Sequence, residues 1–266
     1  MDDSIELAVE RAITTMHENL GERLTVDDMA RAAMFSKFHF TRVFQRTTGV
    51  SPGRFLSALR LQQAKRLLVS TSLSVVDISM QVGYNSVGTF SSRFSRSVGM
   101  SPTVYRRRRG YAPQIATAPQ PDAAPATPSR ARVSGWAGLP STHQNGLIFI
   151  GLFAERVPEG QPVRCTVLTR PGPFRFDTVP EGNWYLLAQS IADDDLYTTM
   201  DPHNPRVCVA THGPLEISSA TVIYSNLQLK PVRSVDPPVL LALMDARKLA
   251  MARLMHEAQE DAKMAA

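Results

Sequence analysis

Two short stretches, fifty residues apart, present guanidinium, ammonium and hydroxyl groups at helical spacing. In the first they are Lys37, Thr41, Arg42 and Arg46, with Phe38 among them. In the second they are Thr89, Ser92, Arg93 and Arg96, with Gly88 where a longer side chain could stand. Such a set can make two kinds of contact at once. A guanidinium can donate two hydrogen bonds to a guanine edge, a threonine or phenylalanine can touch a thymine methyl, and the remaining cations can hold phosphates. Arg106 and Arg107, in a run of four arginines closing the same region, suit a phosphate backbone as well.

The charge balance agrees with that chemistry. Residues 1 to 110 carry sixteen basic residues against nine acids, a net of +7, whereas residues 111 to 266 carry thirteen against fifteen. Between 31 and 110 the only acid is Asp77, against fourteen basic residues, so a polyanion is the expected partner of this half. No run of eighteen apolar residues occurs, and the N-terminus is acidic and amphipathic, so no membrane partner is expected. Two cysteines, Cys165 and Cys208, fit a reducing compartment, and the expected location is the cytoplasm.

The elements that must position these side chains are written twice. TVDDMARAAMFSKFHFTRVFQRTTGVSPGRF (25 to 55) and SVVDISMQVGYNSVGTFSSRFSRSVGMSPTVY (74 to 105) align with one inserted residue, Asn85. Each copy opens on Thr25 or Ser74 as N-cap, with Asp28 or Asp77 three residues later. A short helix and a break follow, then a second helix with phenylalanines at i and i+4: Phe40 with Phe44, Phe90 with Phe94. Those pairs must face inward, which turns the cationic faces outward. Gly49 or Gly99 ends each second helix, and Ser-Pro opens the next. Helix, tight turn, helix is the helix-turn-helix arrangement. The intervening SPGRFLSALRLQQAKRLLVST reads as one long helix from about Pro52 to Ser70. As a stiff rod it would let a single chain address successive major-groove faces, about 34 Å apart on B-form DNA.

The run RLQQAKRLLVSTSLSVVDISMQVGYNSVGTFSSRFSRSVGMSPTVYRR resembles the signature of the AraC/XylS transcription regulators, and the resemblance extends over roughly residues 5 to 109. It implies seven helices, double-stranded DNA and RNA polymerase as partners, activation of transcription, and recognition positions at Phe38, Thr41, Arg42, Gly88, Thr89 and Ser92. Two departures stand out. The DNA-binding domain comes first, whereas most members place it last, and the second recognition helix is poor in long polar side chains.

From 111 to 145 an Ala/Pro-rich segment reads as a tether. Beyond it, short β-branched and aromatic runs at 146–154, 163–169, 173–179, 183–191, 206–211 and 220–229 predict an antiparallel β-sandwich over 146 to 236. Here GPFRFDTVPEGNWYLLA resembles the transthyretin-like and carboxypeptidase-regulatory-like modules, which implies a fold and no activity. Residues 237 to 266 read as a C-terminal amphipathic helix, open to packing on the sandwich or to self-association as a homodimer. The expected fold class is therefore multidomain: an all-α double helix-turn-helix domain of about seven helices plus an antiparallel sandwich with a terminal helix.

Neither a serine elbow, a phosphate loop nor a dinucleotide fingerprint occurs, so no catalytic residue and no cofactor is expected. Asp193, Asp194, Asp195, Asp201, His203 and His212 show no metal-ligand spacing and read as a solvated acidic loop. Trp136, Trp184 and Tyr185 read as core or interdomain packing residues, not as a ligand cage. The composite expectation is a sequence-specific DNA-binding transcription regulator, not an enzyme, whose β-rich part takes a small effector or a protein partner. The rivals are an architectural DNA-binding protein without sequence preference and an enzyme carrying a DNA-targeting module.

Overall fold

The computed structural model describes residues 3–110, 130–141, 147–157, 159–191 and 207–240. Seven helices come first: α1 (Asp3–Glu18), α2 (Val26–Ala32), α3 (Lys37–Thr48), α4 (Pro52–Ser70), α5 (Val75–Gln81), α6 (Val87–Val98) and α7 (Pro102–Arg107). Nine strands follow: β1 (Arg132–Gly138), β2 (Leu147–Phe153), β3 (Arg164–Leu168), β4 (Gly172–Phe176), β5 (Gly182–Ile191), β6 (Cys208–Ile217), β7 (Val222–Tyr224), β8 (Leu227–Gln228) and β9 (Lys230–Pro231). The chain divides into two compact units. One is Met1–Tyr111 with Val157–Gly160 and Arg233–Ala242, and the other holds the sheets.

In the helical unit the duplicated signals act as the spacing predicts. The Thr25 hydroxyl accepts from the Asp28 N–H at 3.2 Å while the Asp28 carboxylate accepts from the Thr25 N–H at 2.9 Å; Ser74 and Asp77 repeat this at 3.1 and 3.3 Å. These reciprocal bonds satisfy N–H groups that a helix start leaves without partners. Gly49 and Gly99 take left-handed C-cap conformations at φ 79° and 89°, where a Cβ would be penalised.

Each Phe pair meets a third ring supplied by the next helix. Phe40 packs on Phe44 at 5.3 Å between centroids, and Phe44 meets Phe55 of α4 edge-on at 5.4 Å. In the second copy Phe90 packs on Phe94 at 5.6 Å, and Phe94 meets Tyr105 of α7 at 5.6 Å. All six rings are buried. Helix α4 buries Phe55, Leu56, Ala58, Leu59, Leu61, Ala64 and Leu68 around much of its circumference, touching α2 and α3 of one motif and α5 of the other.

Two sheets form the second unit around one core. The five-stranded sheet, in the order β3-β2-β5-β6-β9, is antiparallel throughout. The smaller sheet runs β4-β1-β7 with β8 also on β1; β1 pairs antiparallel with β4 but parallel with β7 and β8. Ile148, Ile150 and Leu152 of β2 meet Val133 and Ala137 of β1 and Phe174 and Phe176 of β4 in that core.

Three expectations are corrected. The tether over 111–145 does not run to 145, because residues 132–138 form β1, the central strand of the smaller sheet. Its inward residues Val133, Gly135 and Ala137 are mostly small, so composition hides a strand that pairing enforces. Residues 157–160 and 233–242, assigned from the sequence to the sandwich and the terminal helix, belong with the helical unit. There Val235 and Leu240 are buried, Ser234 donates to Glu10 at 2.7 Å, and Lys65 donates to the Leu240 carbonyl at 2.9 Å. Trp136 is half exposed on the outer side of β1, so of the two packing roles expected for it the core role is excluded. The predicted terminal helix beyond residue 240, the loop with Asp193, Asp194, Asp195, Asp201 and His203, and the tether over 111–129 lie outside the described residues.

Candidate nucleic-acid interface

Burial of the Phe pairs orients both second helices. On α3 Phe40, Val43 and Phe44 are buried, and Lys37, Phe38, Arg42 and Arg46 are exposed, with Thr41 half-buried at the edge. The face is open to a ligand at its most apolar point, since Phe38 is 83% exposed. A phenylalanine held in water without a partner gains by covering, and a thymine methyl is a suitable cover. Lys37 pairs with Asp27 at 2.8 Å, both exposed, a contact too weak to withhold the ammonium from a phosphate. The Thr41 hydroxyl donates back to the Lys37 carbonyl at 2.9 Å.

Met34, which sequence reasoning passed over, is 82% exposed just before α3 and adopts φ 59°. Its counterpart in the second copy is Gly83, at φ 84°. The left-handed residue ending each first helix is a signal the repeat alignment could have supplied.

On α6 the exposed stripe is Gly88, Thr89, Ser92 and Arg96, opposite Phe90 and Phe94. The helix is capped by the Ser86 hydroxyl, which accepts from the Thr89 N–H at 3.4 Å. Arg93 does not join that stripe. Its guanidinium donates to Glu159 at 3.3 Å, alongside Arg54 at 2.9 Å and the buried Ser97 hydroxyl at 2.9 Å. The repeat carried a hint of this, for Arg93 aligns with Val43, a buried position in the first copy.

Arg106 is likewise committed elsewhere. Its guanidinium donates to the carbonyls of Leu68, at 3.1 Å, and Leu73, satisfying groups at the exit of α4. Arg107 stays exposed. Of the twelve residues singled out by sequence, the structure thus gathers Lys37, Phe38, Thr41, Arg42 and Arg46 on one face and Gly88, Thr89, Ser92 and Arg96 on another, leaves Arg107 exposed at the end of α7, and turns Arg93 and Arg106 to internal partners. No helix among the described residues is long and apolar enough to cross a membrane.

Parts of the chain are similar to known proteins. Residues 29–108 match the model of a family described as a helix-turn-helix domain. The chain is 35% identical over 88 residues to the HTH-type transcriptional activator AarP of Providencia stuartii, covering 33% of this chain and 65% of that protein. It is 31% identical over 104 residues to the lactose operon transcription activator of Staphylococcus xylosus, covering 39% of this chain and 37% of that one. The chain thus spans less than two thirds of either relative. Among solved structures it resembles an AraC-type transcriptional regulator from Chromobacterium violaceum, at 31% identity and TM-score 0.38, over 39% of this chain and 93% of that one. It also resembles the DNA-binding domain of AdpA in complex with a target DNA, at 31% identity and TM-score 0.37, over 38% of this chain and 90% of that one.

Proposed function

We propose, from the premise that residues 29–108 form a helix-turn-helix domain of the AraC type, that this chain is a sequence-specific DNA-binding transcription regulator acting as an activator. One observation carries the reading: two helices of the same repeat are each anchored inward by a buried Phe pair and expose Phe38, Thr41 and Arg42 on one and Thr89, Ser92 and Arg96 on the other. In this reading α3 enters a major groove and Arg42 reads a guanine while Phe38 and Thr41 cover thymine methyls. Helix α6, with short side chains at Gly88, Thr89 and Ser92, approaches a second groove segment closely and adds shape and phosphate contacts, with Arg96 and Arg107 on the backbone. Sequence preference therefore rests mainly on α3. RNA polymerase is the further partner this reading supplies, and the sandwich is the place for an effector or protein partner.

The test is binding of full-length protein to duplexes selected from a random pool and to unselected duplex, across a range of salt. Arg42→Ala is expected to relax preference at one base position by about 1–3 kcal/mol, whereas Arg96→Ala weakens all duplexes alike and lowers the salt slope by about one. Equal losses on selected and unselected duplex for Arg42→Ala would remove the base-reading role.

A further inference from the structure

Glu159 makes an unusual set of contacts for a residue in the connection between β2 and β3. Its carboxylate is only 12% exposed and lies in the helical unit, where three donors from two helices converge on it. Arg54, in the first turn of α4, donates to one oxygen at 2.9 Å; Arg93 and Ser97, on successive turns of α6, donate to the other at 3.3 and 2.9 Å. The neighbouring Gly160 N–H donates to the Ser97 carbonyl at 2.9 Å, which ties the segment down.

Two guanidiniums brought together beside a buried hydroxyl form a site that needs an anion. Without one, like charges would face each other and the Ser97 hydroxyl, fully buried with Glu159 in place, would lose its acceptor. A carboxylate and a phosphodiester are alike here: each carries one negative charge and offers two oxygens to forked donors. The site also adjoins the DNA-facing stripe. Arg93 stands at i+4 from Thr89 and at i−3 from Arg96 on the same helix, and both arginines keep solvent access, with side chains 24% and 34% exposed for Arg93 and Arg54.

We propose that Arg54, Arg93 and Ser97 form a further backbone-phosphate site, filled in the free protein by Glu159 as an internal stand-in, so that duplex phosphate and the Glu159 carboxylate compete for it. The proposal rests on the DNA-binding reading above and assigns that reading its regulation.

The experiment uses the full chain and duplexes from a selected pool. Glu159→Gln keeps shape and hydrogen bonding but removes the charge, and is expected to raise affinity on the order of threefold to tenfold at low salt and to steepen the salt slope by about one to two. The gain is expected to vanish in an Arg93→Gln background. Independently of any variant, hydrogen exchange at the Gly160 amide is expected to speed up when wild-type protein binds duplex. Unchanged or weaker binding by Glu159→Gln, or exchange that stays the same or slows on binding, overturns the proposal while leaving the DNA reading intact. Wild-type protein that binds no duplex at all overturns the DNA reading instead.

Discussion

Gly83 and Gly99 both take left-handed conformations in the second motif, yet adding a methyl group should affect them very differently. At Gly99, φ 89°, a Cβ would have nothing within 4 Å, so Gly99→Ala meets only the backbone penalty of the left-handed region, about 1–2 kcal/mol. At Gly83, φ 84°, the same Cβ would lie 2.4 Å from the Leu20 carbonyl oxygen and 2.7 Å from the Arg60 guanidinium. Neither can yield cheaply. Arg60 holds the turn after α1 by donating to the Leu20 carbonyl at 2.9 Å and to the Glu22 carbonyl at 2.6 Å. Forcing the chain aside adds an overpacking cost of about 1–3 kcal/mol and strains hydrogen bonds to a charged group. Gly83→Ala should therefore cost about 2–5 kcal/mol. For a domain of this size each kcal/mol moves the melting temperature by about 4–8 °C. Helical ellipticity in the far ultraviolet reports this transition, because the described helices all lie in one unit. The expected result is a drop for Gly83→Ala at least twice that for Gly99→Ala. Equal shifts would refute the argument that the close approach of α1's exit to the second motif dictates this glycine.

Two further outcomes follow from the same structure. The hydrogen bonds from Thr25 hold the Asp28 carboxyl below its usual range, with Arg31 adding to the effect, so the folded pKa lies under the unfolded one; the resulting stability is present above the unfolded pKa and is lost as pH falls through the folded value. Melting of the helical unit should thus decline as pH drops below about 4, and Asp28→Asn should flatten that decline in a melt series across pH. In the sandwich, a Cβ on Gly135 would lie 1.9 Å from the Ser225 carbonyl oxygen, so Gly135→Ala should separate β1 from the β7–β8 segment, cost roughly 1–3 kcal/mol or more, and lower the unfolding midpoint read by tryptophan fluorescence while the helical transition stays in place.

Much of the helical unit was legible because its signals are local. The capping boxes, the Phe pairs at i and i+4 and the glycine stops each act within a few residues, and the repeat displayed each signal twice. Strands β2 to β6 were legible through β-branched and aromatic runs, and the run at 220–229, read as one strand, holds both β7 and β8. β1 was not, because Gly135 and Ala137 are small where a strand signature needs bulk, and the need for a small residue comes from Ser225, ninety positions later. On α6 the sequence did not show that Glu159 would hold Arg93. Arg93 has the composition of a phosphate contact, and only its alignment with buried Val43 spoke for another role.

The sequence by itself determined which faces turn outward, because a helix that buries Phe40 and Phe44, or Phe90 and Phe94, has no freedom left in its rotation. Tertiary structure alone decided which cations on and beside those faces stay open to a ligand. Arg93 and Arg54 are drawn to Glu159, and Arg106 to the carbonyls that end α4 and the turn after it. Charge acts through space with no periodicity to announce it, so the partner of an arginine is known only when distant parts of the chain come together.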